Sequence, residues 1–300
     1  MLKIAWTTLA AISLVACAAA YAAPQPYVVP NSQVIELSSK QTGADYQLFV
    51  SLPLDYTRTR KSYPVVYMLD ADYSFALVRN VVQHFVERDD LPPMILVAIA
   101  YPGAATNRET YKKNRTRDYT PVYAPDRGYG AEYQAVSGGG PKFRAFIATE
   151  LVPLIERRFR ANPSDRTIIG HSYGGLFATY VLLTEPALFK RYVVVSPSLW
   201  YANRVAFSME ETAAQSGIRP DAQVFFGVGA LENTIMAEDL TDMFRRLRSR
   251  NNPRLKMTLR IFEEERHNSV FPAAVTRGLL TVFDSPAARG TTPPPFADGR

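Results

Sequence analysis

A chain of 300 residues, 47% of them hydrophobic, holds enough apolar material for one sizeable α/β domain, and no long polar linker divides it. Its single cysteine, Cys17, excludes a disulfide framework, and three histidines without helical ligand spacing give no expectation of a metal centre. The formal charge of +6 comes from scattered basic residues with local clusters at 112–117 and 245–248, neither beside a nucleic-acid motif.

The N-terminus carries Lys3, an apolar run from Ile4 to Ala16 and a small-residue segment ending Ala20-Tyr21-Ala22. These are the three regions of a secretory signal peptide, expected over 1–22, and the run is too short to span a membrane comfortably. Leu14-Val15-Ala16-Cys17 also resembles a lipobox. On that alternative the leader is 1–16 and Cys17 is a lipid-anchored first residue. Both readings export the folded domain, 23–284, which in a bacterium means the periplasm. The tail 285–300, with Thr291-Thr292-Pro293-Pro294-Pro295, lacks the apolar content to pack and is expected to be disordered.

Segments around 34–37 and 46–52 alternate in polarity about a Gly43 turn and read as an antiparallel hairpin at the edge of a sheet. Continuous apolar runs follow at 64–69, 94–100, 167–169, 192–195, 223–226 and 255–262, each leading into a helical pattern. Runs apolar on both faces belong to parallel strands covered by helices on two sides, and ligands gather at their carboxyl ends. The stretch 102–141, rich in Tyr, Arg, Asn and Gly, breaks the rhythm and reads as a long functional loop before a helix beginning near Pro141.

Gly170-His171-Ser172-Tyr173-Gly174 joins the strand at 166–169 to a helix from Gly175. A serine between glycines on a strand-to-helix turn is a nucleophile elbow: small residues let the backbones approach, and the serine sits strained at the positive end of the helix. Activating that serine needs a base within hydrogen-bond reach. His171 should point away from its neighbour and pack, and His84 lies in a helical pattern. His267, on the loop after the last strand, holds the position of the base in the order serine, acid, histidine. Glu232 is the first acidic residue after the glycine-rich end of the strand at 223–226 and is the candidate acid, while Asp239 and Asp242 read as solvated charges on the next helix. The amide of Tyr173 is one candidate oxyanion donor. The other is the amide of Ala71 or Asp72, on the loop after the third strand, where the aspartate can also cap a helix. Phosphate-loop and dinucleotide fingerprints are missing, so no cofactor is expected.

The elbow, with Ser196-Pro197-Ser198-Leu199-Trp200-Tyr201, Tyr67-Met68-Leu69-Asp70, Arg117-Asp118-Tyr119-Thr120-Pro121 and Gly227–Glu232, resembles the esterase-D-like α/β-hydrolases, and within them the periplasmic enterobactin and salmochelin esterases. The likeness covers roughly residues 33–284, with Ala71 standing where the family often has glycine. It implies an α/β-hydrolase fold and hydrolysis of a small-molecule carboxylic ester, with a siderophore trilactone, ferric or iron-free, as the named candidate. Arg117, Trp200 and Tyr201 would then form a basic, aromatic mouth. Simple acyl esters, acyl transfer to an alcohol, and a silent ligand-binding homologue are the competing readings.

Overall fold

The computed structural model describes residues 26–126 and 128–285. The expected leader, Cys17 and the tail beyond Ser285 lie outside the described residues. Eight strands form one sheet: β1 (Ser32–Ser38), β2 (Asp45–Ser51), β3 (Tyr63–Met68), β4 (Ile95–Ala100), β5 (Ala161–His171), β6 (Arg191–Val195), β7 (Ala222–Gly229) and β8 (Leu255–Phe262). Their order is β1-β2-β4-β3-β5-β6-β7-β8; β1 and β2 are antiparallel to their neighbours, and the other six run parallel. This is the mostly parallel sheet of the α/β-hydrolase fold.

The helices are α1 (Ala71–Val86), α2 (Arg108–Tyr119), α3 (Ala131–Gln134), α4 (Gly140–Phe146), α5 (Val152–Arg158), α6 (Tyr173–Thr184), α7 (Tyr201–Gln215), α8 (Thr234–Ser249) and α9 (Val270–Val282). A π-helical turn, Ile147–Leu151, joins α4 to α5. Helices α1 and α9 cover one face through Phe75, Val78, Val275 and Leu279, packed on Met68, Val193 and Phe225. The remaining helices except the short α3, which packs on α2, lie on the other side, where all of α6 except Thr184 is buried. From β3 the chain winds outward to β4 and then returns to β5 on the opposite side of β3. A reversal of this kind opens a crevice at the carboxyl ends of the two strands, and α1 and α6 both start there.

Two expectations need correction. The 102–141 stretch is no structureless loop: it contains α2 and α3, and α4 already begins at Gly140. Helix α2 shows little hydrophobic periodicity because much of what it buries is polar, Arg115, Thr116 and Asp118 beside Tyr119. Its start is fixed locally, as the Asn107 side chain accepts hydrogen bonds from the amides of Glu109 and Thr110. Strand β8 is the open edge of the sheet rather than a doubly covered strand, so Lys256, Thr258 and Arg260 are exposed in alternation.

Candidate active site

Ser172 stands between β5 and α6 at φ 59°, ψ −118°, a conformation that costs a non-glycine residue on the order of 1–3 kcal/mol and persists only when its surroundings over-determine it. Here the amide donates to Val195 O at 3.0 Å, and the carbonyl accepts from the amides of Leu176 (2.9 Å) and Ser198 (3.1 Å). A Cβ on Gly170 would lie 2.2 Å from Gly174 O, and one on Gly175 would lie 2.9 Å from Val195 O and the Pro197 Cα, so these two glycines permit the close crossing. Gly174 is less crowded; its nearest neighbour would be Asp70 Oδ2 at 3.3 Å. The Ser172 hydroxyl meets Ser198 Oγ at 3.4 Å.

Across the cleft, His267 Nδ1 lies 2.7 Å from Glu232 Oε2, with the glutamate side chain fully buried. The other carboxylate oxygen accepts from the Gly229 amide at 2.8 Å and from Ser196 Oγ. Burial pushes this carboxyl up, but the hydrogen bonds from His267, Ser196 and Gly229 outweigh it and hold Glu232 below the usual carboxylate range. At Gly229 a Cβ would sit 2.3 Å from Glu265 O, so a glycine there lets the β7 turn lie directly against the loop that carries His267. Asp239 is not the solvated charge expected: it is buried on α8 beside Arg204 at 2.7 Å, and burial raises its pKa.

The amides of Ala71, Asp72 and Tyr173 fall in the first turns of α1 and α6, where no earlier carbonyl of the same helix is available to them. Asp72 and Tyr173 line the cleft with Ser172, whereas Ala71 is buried and does not border it. The Asp72 carboxyl is pushed up by burial and by the neighbouring Asp70.

Of the three proposed mouth residues, only Trp200 lines the cleft. Arg117 turns away and pairs with Asp118 at 2.7 Å and 2.9 Å, and Tyr201 is buried, donating its hydroxyl to Val122 O at 3.0 Å. Besides Arg108, the arginine that reaches the cleft is Arg115, two residues before Arg117. It is buried and bidentate to Asp70 at 3.0 Å on both oxygens, donates to His171 O at 3.3 Å, and meets the Tyr129 hydroxyl. Its guanidinium lies 5.4 to 5.9 Å from the rings of Tyr111, Tyr119, Tyr129 and Tyr173. Although burial works against the charge, Asp70 and the surrounding tyrosines hold its pKa well above the usual arginine value. Tyr111, Arg115 and Tyr119 are spaced i, i+4, i+8, and that spacing is the sequence signal that distinguishes Arg115 from Arg117.

His171 does more than pack. Its Nε2 lies 2.8 Å from the His267 carbonyl oxygen and its Nδ1 3.1 Å from Tyr73 OH, while His84 is exposed on α1. Ser172, His267, Glu232, Asp72, Tyr173 and Trp200 all border one cavity of about 970 Å³, large enough for a substantial organic ligand. Among the described residues no hydrogen bond joins Ser172 to His267; such bonds are often long before substrate arrives.

Residues 39–277 match the protein family described as "Putative esterase". Over 268 residues the chain is 30% identical to the ferri-bacillibactin esterase BesA of Bacillus subtilis, with 84% of this chain and 90% of that protein covered. The BES protein of Bacillus cereus superposes with a TM-score of 0.76 at 29% identity, over 87% of this chain and 98% of the other. An IroE-like serine hydrolase of Shewanella oneidensis superposes at 0.73 and 26% identity, over 84% and 80% of the two chains.

Proposed function

Because the chain belongs to the esterase family, we propose that it is a serine esterase acting on siderophore esters, with Ser172 as nucleophile, His267 as base and Glu232 as the acid that orients it. The observation that carries this reading is the 2.7 Å contact of His267 Nδ1 with Glu232 on the same cleft as the elbow serine. Glu232 accepts a hydrogen bond from Nδ1–H, which keeps that proton on Nδ1 and leaves Nε2 free to take the proton of the Ser172 hydroxyl. Ser172 Oγ then attacks the ester carbonyl. The developing oxyanion is received by the Tyr173 amide and by an amide at the start of α1, that of Asp72 or Ala71. Collapse expels the alcohol, protonated by His267, and water activated by the same imidazole releases the acid and regenerates the serine.

The 30% sequence identity with the ferri-bacillibactin esterase supports a siderophore ester as substrate, and a cavity of about 970 Å³ bordered by Trp200, Tyr173 and Tyr129 suits a bulky aromatic one. Export rests on the composition of residues 1–22, and mass analysis of the mature N-terminus decides between cleavage after Ala22 and lipidation at Cys17. The reading of substrate is tested by assaying purified protein on ferric and iron-free trilactone siderophores beside short-chain chromogenic esters. A trilactone kcat/KM at least about 100-fold above that for the simple esters supports it. Equal or inverted preference makes the protein a general esterase.

A further inference from the structure

The His171 ring is 6% exposed and lies 4.7 Å, centroid to centroid, from the His267 ring. A carbonyl oxygen can only accept, so the Nε2 that faces His267 O at 2.8 Å carries a proton. The charged and titratable groups around the ring are His267 and Glu232 on one side and Arg115, Tyr73 and, behind Tyr73, Asp70 on the other, with Phe271 as an apolar wall. Burial, then the charges of His267 and Arg115, push the His171 pKa down to about 3, so the ring is neutral and its Nδ1 is an acceptor. The Tyr73 hydroxyl supplies the donor at 3.1 Å. That hydroxyl also donates to Asp70 Oδ2 at 3.2 Å, an oxygen that otherwise accepts from one Arg115 nitrogen, so the carboxylate and His171 Nδ1 share the tyrosine donor.

We propose that His171 is a positioning residue for ester hydrolysis, holding the backbone of His267 through its Nε2–H and so fixing the base relative to the serine next door. The inference rests on the reading of Ser172 and His267 as nucleophile and base. His267 belongs to a loop that leaves the open edge strand β8, and its carbonyl is tied by this bond to the last residue of β5. The nucleophile's own neighbour thereby holds the base loop at a set distance. The anchor is also uncharged, so it does not oppose the positive charge that His267 gains when it takes the serine proton.

His171→Phe keeps a ring and loses both hydrogen bonds, whereas His171→Gln can return an amide N–H to the place of Nε2. The expected outcome for Phe is a fall in kcat of about 10- to 100-fold with KM within about twofold, and an equal slowing of covalent labelling by a fluorophosphonate. Gln should recover to within about fivefold of wild type. Independently of turnover, imidazole nitrogen NMR of the wild-type protein should show His171 as the neutral Nε2–H tautomer from about pH 8 to about pH 5. A Phe variant with wild-type kcat, a Gln variant as slow as Phe, or a His171 that titrates in that range overturns the inference. Ser172→Ala run alongside separates the two levels. If it leaves turnover intact the nucleophile reading falls and this inference with it, whereas an inactive Ser172→Ala beside a fully active His171→Phe overturns the inference alone.

Discussion

The two walls of the cleft are built on different physics. One wall consists of the carboxyl ends of β5, β6 and β7, where backbone hydrogen bonds and close glycine crossings hold Ser172 and Glu232 in place. The other is α2, pinned to Asp70 at the start of α1 by Arg115, Tyr111 and Tyr119. On the first wall, Ser172, Glu232 and His267, the proposed catalytic side chains, lie outside the buried hydrophobic core. On the second, Arg115 both borders the cleft and ties α2 to the start of α1. Substitutions on the first wall should therefore cost activity without stability, and substitutions on the second should cost both.

The largest effect expected is on the first wall. His267→Ala should lower kcat by at least about 10³-fold while its urea midpoint stays close to wild type, because the ring is partly exposed and its loop is also held by the bond from the Leu231 amide to Glu265 O. A large loss of stability would erase the contrast between the walls. On the second wall, Arg115→Met leaves Asp70 buried without its cation. Urea unfolding should show a loss of about 3–5 kcal/mol, with Arg115→Met/Asp70→Leu recovering most of it. If the single variant is as stable as wild type, the ion pair does not hold the wall.

A smaller effect follows from His171. Its folded pKa, about 3, lies below the unfolded value of 6.5, so the unfolded chain binds the extra proton between those limits. Its contribution is complete above pH 6.5 and is lost as pH falls towards 3, at up to about 1.4 kcal/mol per pH unit. Stability measured at successive pH values should fall more steeply for wild type than for His171→Gln, and parallel curves would contradict the buried neutral ring. The smallest change expected is for Trp200→Ala, which removes a ring from the mouth: KM should rise about 3- to 30-fold on a siderophore ester with kcat little changed.

The first wall was far more legible in the sequence than the second. Apolar runs mark β3 to β7, and a Gly-X-Ser-X-Gly turn between a strand and a helix has few other uses, so the place of Ser172 could be read directly. The order serine, acid, histidine along the chain points to Glu232 and His267, whose side chains the structure brings together at 2.7 Å. Helix α2 escaped because a helix that buries Arg115, Thr116 and Asp118 does not announce itself by apolar periodicity. The same cause led to Arg117 in place of Arg115, and only the Tyr111, Arg115, Tyr119 spacing carried the distinction. Asp239 looked solvated because the sequence does not reveal Arg204, a partner from another helix. The role of His171 depends on a contact with a carbonyl 96 residues away, and no local pattern records it.

The central claim, that Ser172 is a nucleophile activated by His267 and Glu232, is tested most directly by treating the purified protein with a fluorophosphonate and locating the adduct by peptide mass mapping. A single adduct on Ser172, formed in parallel with loss of esterase activity and slowed by at least about 10²-fold in His267→Ala, is the result predicted. An adduct elsewhere, or ester hydrolysis that persists in Ser172→Ala, would contradict it.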